Sequence, residues 1–163
     1  MHRRLPLLAN AIWLQLGWWG CVLGAQRPVL LGVVALGLLA HLALCRRKVE
    51  EGIAVFGVAL AGCVLDATLG WLGFFDFHEA LLPAWLVLLW LVFASGLRHS
   101  LAWAARPVWR GACLGALGGP LAYCAGAPLA GVGLPLGIAW SALLLALVWA
   151  AALPLMLRFA LGR

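Results

Sequence analysis

The chain is 163 residues long, 66% hydrophobic and only 10% charged, with a mean hydropathy of +1.09. A soluble domain is about half apolar and a quarter charged, and a chain this small has too little interior to hide the excess, so a water-soluble globule is excluded. The formal net charge of +6 does not point to nucleic acid, because the cations sit in short clusters between apolar runs rather than along a binding stripe.

About 20 helical residues cross about 30 Å of hydrocarbon, and six apolar runs meet or approach that length. The first, 7–24, ends at Gln26-Arg27-Pro28. The second, 29–44, is closed by Arg46-Arg47-Lys48, and the stretch 46–51 reads as a loop. The third, 52–75, is closed by Asp76, His78 and Glu79; the fourth, 80–104, by Arg106-Pro107 and Arg110. The fifth is 111–130, and the sixth, 134–157, is followed by Arg158 and Arg163. The pattern predicts an all-α, polytopic membrane bundle of six transmembrane helices in a single domain spanning 1–163. Runs one and two are the shortest for a span.

Charge sets the orientation. Arg3, Arg4, Arg46, Arg47, Lys48, Arg98, Arg106, Arg110, Arg158 and Arg163 fall on one side, and Arg27 alone on the other. Cations stay on the cytoplasmic side, so both termini are expected inside, in a multi-pass protein of a bacterial inner membrane. His2-Arg3-Arg4, an apolar run and Leu23-Gly24-Ala25 also resemble a cleavable leader. Asn10 and Gln15 interrupt that run and bulky Trp18 and Trp19 crowd the cleavage position, which favours a retained helix. The five cysteines form no CxxC pair and read as small apolar packing residues.

Polar residues at membrane depth are costly and usually face a partner or a cavity. Asp66 lies about 21 Å along the third run and Tyr123, the only tyrosine, about 18 Å along the fifth from the same side, at 1.5 Å per residue. A phenol–carboxylate pair between the two runs is therefore expected, and these are the candidate catalytic residues. Gly62 and Gly70 flank Asp66 at i−4 and i+4, and Gly111, Gly115 and Gly119 form a groove for another helix, open to a further membrane subunit. Asn10, Gln15, Ser95 and His99, with His41 and Arg98 nearby, sit toward the cytoplasmic side as a polar vestibule. Trp18 and Trp19 follow Gln15 at i+3 and i+4 and could line an apolar pocket. Trp90, near mid-membrane, needs an acceptor for its N–H. Asn10, Gln15, Trp18, Ser95 and His99 are the candidate ligand-binding set. No cofactor and no metal are expected: His41, His99 and Asp66 do not share a depth, and no Walker, HExxH, GxSxG or CxxC motif occurs.

Four stretches together carry a resemblance: Asn10 to Gln15 with Gly17-Trp18; Leu65 to Gly70; Pro83-Ala84-Trp85 through Leu89-Trp90, Phe93 and Ser100 to Trp103; and Gly119 to Gly126. In this order they resemble a bacterial inner-membrane family known only as a domain of unknown function, number twenty-eight seventy-eight. The resemblance implies a small multi-helix inner-membrane protein and no established chemistry.

Three functional readings stay open. The first is binding or modification of a lipid or other apolar molecule in an intramembrane cavity, with Asp66 and Tyr123 as polar anchors or, in an enzyme, as acid–base group and hydrogen-bond donor. The second is the substrate-binding membrane subunit of a small-solute transporter, which six helices with both termini inside resemble in architecture. The third is an assembly partner without a ligand. A slot open sideways to lipid favours the first, and a pocket open to the outside the second.

Overall fold

The computed structural model describes residues 4–78 and 81–162; His2, Arg3, Glu79, Ala80 (the expected start of the fourth run) and Arg163 lie outside them. Six α-helices follow in order: α1 (Arg4–Gly24), α2 (Val29–Leu44), α3 (Lys48–Trp71), α4 (Ala84–Leu97), α5 (Val108–Ala130) and α6 (Gly137–Ala160), with a short 3-10 helix at Ala102–Ala105. No strand occurs among the described residues. Four of the helices, α1, α3, α5 and α6, are long and apolar enough to cross a membrane, whereas α2 and α4, at 16 and 14 residues, are apolar but shorter.

Local chemistry sets the ends. The stretch 46–51, expected as a loop, is helical from Lys48, because Glu50 and Glu51 occupy the first turn of α3, where negative charge complements the helix dipole. Pro83 and Pro107 stand in extended conformation before α4 and α5, where a missing N–H costs nothing. The helix expected to run to residue 104 stops at Leu97: the Leu101 amide turns back to the Gly96 carbonyl, and a brief 3-10 helix follows. Gly131 ends α5 in the left-handed conformation, at φ 74, that favours glycine.

The alternating helix directions gather the α2–α3 and α4–α5 connections at one end of the bundle, with the start of α1 and the end of α6. Arg46, Arg47, Lys48, Arg98, Arg106, Arg110 and Arg158 belong to this charged end. At the opposite end the connections 72–83 and 131–136 are latched: Asp76 and Gly133 exchange both backbone hydrogen bonds at 3.0 Å.

Helix α4 is central, packing on α1, α2 and α3; its contact with α6 and that of α1 with α5 are both light. The core is built around Val55, Val58, Leu97, Leu145 and Leu157, all nearly or fully buried. The outside is equally apolar, with Val33, Leu36, Phe56, Leu60, Leu117 and Leu147 exposed. Such a surface is unstable in water and suited to hydrocarbon.

The glycine stripe of α5 is filled from within the chain. Gly111, Gly115 and Gly119 are buried against α6; a Cβ at Gly115 would run into the Trp149 carbonyl, and one at Gly119 into the Trp149 ring. This face is closed by α6 rather than open to another subunit. Gly118, on the next face, has nothing within 4 Å of its missing Cβ. Gly115→Ala should therefore destabilise the purified protein by about 1–3 kcal/mol through backbone displacement. Gly118→Ala should be neutral or slightly stabilising. Thermal unfolding of both variants in one detergent checks the contrast.

Candidate functional site

Three helices meet at one buried carboxyl. Asp66, on α3, is 0% exposed. Its Oδ2 accepts the Trp90 Nε1–H from α4 at 2.7 Å. The Tyr123 hydroxyl of α5 donates to the same group, 2.8 Å from Oδ1 and 2.9 Å from Oδ2. A Cβ at Gly62 would strike the Trp90 ring, so the glycine one turn before Asp66 is what lets the indole lie across α3.

Aromatic rings hold the donors in place. Trp90 stacks on Trp149 of α6 with ring centroids 5.5 Å apart and planes 3° from parallel. Phe93 stands nearly perpendicular to both, with ring centroids at 5.7 and 5.4 Å. Tyr123 stacks on Phe75 at 5.3 Å. Offset and edge contacts of this kind suit the ring quadrupole. The buried Nε1–H of Trp149 finds no acceptor among the described residues, although Tyr123 is its neighbour, with ring centroids 6.0 Å apart.

Tyr123, Trp90 and Trp149 form one wall of a cavity of about 490 Å³. It runs the length of the bundle between α1 and α5, from Ser100 and Trp103 at the charged end to Phe77 and Val132 beneath the latched loops. Its walls are overwhelmingly apolar. Gln15 and Trp18 of α1 lie on it, opposite Tyr123 of α5. Asp66 is not on the wall: it stands behind Tyr123 and Trp90 with both oxygens engaged. A ligand in the cavity would meet the phenol first, with the carboxylate holding that phenol's hydrogen.

A family described as "Protein of unknown function (DUF2878)" matches residues 7–155. The chain belongs to this family. No curated protein and no solved structure matches it.

The other expected site residues of this DUF2878 chain are not on the cavity wall and divide into two groups. Asn10 and Ser95 join α1 to α4. The Asn10 side chain donates to the Ser95 carbonyl at 3.3 Å and accepts from the Ser100 amide at 3.1 Å and hydroxyl at 2.6 Å. The Ser95 hydroxyl accepts from Trp13 Nε1 at 3.0 Å and donates to the Val92 carbonyl at 2.6 Å. These bonds occupy the Asn10 carbonyl oxygen and the Ser95 hydroxyl hydrogen with partners inside the bundle, and they explain why α4 ends where it does. His99 belongs to a second group at the charged end, where it and His41 each place Nε2 3.1 Å from Glu51 Oε1. Arg98 reaches Glu51 Oε2 at 3.2 Å and Glu50 Oε2 at 2.9 Å.

Glu51, Cys45 and Phe75 were not anticipated as site residues. Their signals were present: two acids in the first turn of a helix, a His–Cys pair at i,i+4, and a Phe beside the Asp76 connection. Burial and the Glu51 carboxylate push the Cys45 thiol above its ordinary pKa, against the pull of Arg98.

Replacing Asp66 tests the carboxyl's structural share. Asp66→Leu strands the Trp90 and Tyr123 donors, each at about 1–3 kcal/mol. Asp66→Asn keeps one acceptor oxygen and should fall between Leu and wild type. Unfolding in graded denaturing detergent, with Trp emission as the signal, should give that order.

Proposed function

We propose that this protein binds a lipid acyl chain, or an apolar molecule of similar shape, in the cavity between α1 and α5, with Tyr123 as the polar anchor and Asp66 as the group that holds it. The reading extends to a six-span protein of the bacterial inner membrane with both termini in the cytoplasm, since the described cations other than Arg27 gather at the end where α1 begins and α6 stops.

The observation that carries the reading is the pairing of cavity and triad. A volume of about 490 Å³ falls within the roughly 300–1,000 Å³ of small-molecule sites. Its elongated, aromatic lining suits a chain-like apolar body better than a compact polar solute. The one phenol on its wall keeps an oxygen lone pair for the polar end of a ligand. The light contact between α1 and α5 leaves a seam through which an acyl chain could enter from the side. A carrier for a polar solute would need more polar groups on the wall. An assembly role without a ligand would leave unexplained why a buried carboxylate is spent on orienting a cavity-facing phenol.

Two measurements test the proposal. Native mass spectrometry of the full chain, purified in mild detergent, should show a bound lipid or lipid-sized mass. Tyr123→Phe removes one polar contact and should cut its occupancy about 5–10-fold, the equivalent of about 1–1.4 kcal/mol. Gly118→Leu places a side chain in the cavity and should abolish it. Folded wild type without a bound mass, or folded variants that retain it unchanged, would overturn the reading. For topology, a fluorescent-protein fusion at the C-terminus should glow, and alkaline phosphatase fused after Gln26 should be active; the reverse pattern inverts the orientation.

A further inference from the structure

We infer that the charged end of the bundle carries a binding site for a divalent transition-metal ion of the zinc type, formed by His41, Cys45, Glu51 and His99. None of these residues lines the aromatic cavity, so the site is independent of the proposed ligand.

Three elements bring the four side chains together. His41 and Cys45 lie one turn apart at the C-terminus of α2 and so share a face. The connection to α3 is short, and Glu51 enters from the first turn of α3. His99 follows immediately on the end of α4. One potential ligand atom from each residue lies within 4.8 Å of all the others.

Four of the six ligand–ligand distances approach those of a tetrahedral centre, and all six lie within 4.8 Å. Zinc bonds of about 2.0–2.1 Å to nitrogen or oxygen and about 2.3 Å to sulfur imply edges of about 3.3 Å for N–O and about 3.6 Å for N–S. The observed edges are 3.1 Å from each Nε2 to Glu51 Oε1, and 3.6 and 3.9 Å from Cys45 Sγ to the His41 and His99 Nε2 atoms. The two imidazoles stand edge to face, 87° apart with centroids at 5.1 Å, and turn the same nitrogen, Nε2, to one point.

Hydrogen bonding explains less. Two neutral rings, each with its hydrogen on Nε2, could both donate to Glu51. In that arrangement the Cys45 thiol keeps only long, weak contacts of 3.6 and 3.9 Å to the two ring nitrogens. A cation at the centre uses all four groups at once. Arg98 then acts behind the carboxylate: its Nε holds Glu51 Oε2 at 3.2 Å and so aims Oε1 inward, as outer partners of metal ligands do.

The donor set selects the ion. Imidazole and thiolate favour zinc-like cations over magnesium or calcium, which prefer oxygen. A thiolate and a carboxylate together neutralise the double charge. Four protein ligands close the shell, the pattern of a structural site with no position left for a substrate. Its effect would be to tie the α2–α3 connection to the end of α4. Glu51 is buried while the His99 side chain keeps 34% of its surface exposed, so an ion can enter from the charged end.

The test is titration of the chelator-stripped, detergent-solubilised full chain with Co²⁺ and then Zn²⁺, with helicity followed by circular dichroism. One Co²⁺ per chain should bind, giving the visible bands of a tetrahedral centre and a near-ultraviolet thiolate charge-transfer band, and Zn²⁺ should displace it. Cys45→Ser, which preserves size, should lose the charge-transfer band. His99→Ala should weaken Zn²⁺ binding by more than the roughly 10–100-fold that losing an outer partner costs. Helical wild-type protein that takes up no ion, or a bound Co²⁺ whose spectrum is unchanged in folded Cys45→Ser, would overturn the assignment.

Discussion

A carboxyl group with no access to water must be given hydrogen-bond donors, and the interior of this bundle is arranged around that requirement. Asp66 draws an indole from α4 and a phenol from α5. The indole in turn lies flat on Trp149 of α6. One acid on α3 thereby fixes the separation and rotation of three other helices. An apolar core of leucines and valines packs closely but permits sliding, because dispersion forces have little direction. The hydrogen bonds at Asp66 are directional and penalise a slipped register by leaving donors unmet. The cavity follows from the same geometry: Tyr123 and Trp90 cannot fill the space between α1 and α5 while turned toward Asp66.

Much of this was legible from the residues. A helix rises by a constant amount per residue, so counting from the charged ends placed Asp66 and Tyr123 at one depth before any packing was known. The need of Trp90 for an acceptor was legible too, but not which acceptor, because depth says nothing about azimuth. The glycines of α5 were readable as a groove for a helix; that the helix is α6 of the same chain depends on connectivity in space.

Other features lay beyond local patterns. The end of α4 is held partly by Asn10, a residue far away in sequence, and the apolar pattern continues past Leu97 without a break. Glu51 was obscured for a different reason. In a membrane chain, charge near a helix end is first read as an indicator of sidedness, and here the cations around it dominate. Its partners, His41 and His99, arrive from two other elements, and only the folded chain shows that they face one oxygen.

The brevity of α2 bears on the surroundings of the protein rather than on its interior. Sixteen residues rise about 24 Å, some 6 Å less than an average hydrocarbon layer of about 30 Å. Val29, Val33, Leu36, Leu39 and Leu44 all face outward along it, so on the six-span reading no neighbouring helix hides the shortfall. Lipids beside α2 would have to shorten to meet it, at a cost of fractions of a kcal/mol for each ångström of mismatch. The bilayer would be pinched on one flank only. Headgroups and water would be drawn down toward His41 and Cys45 on that flank, and the protein would settle preferentially where the membrane is already thin.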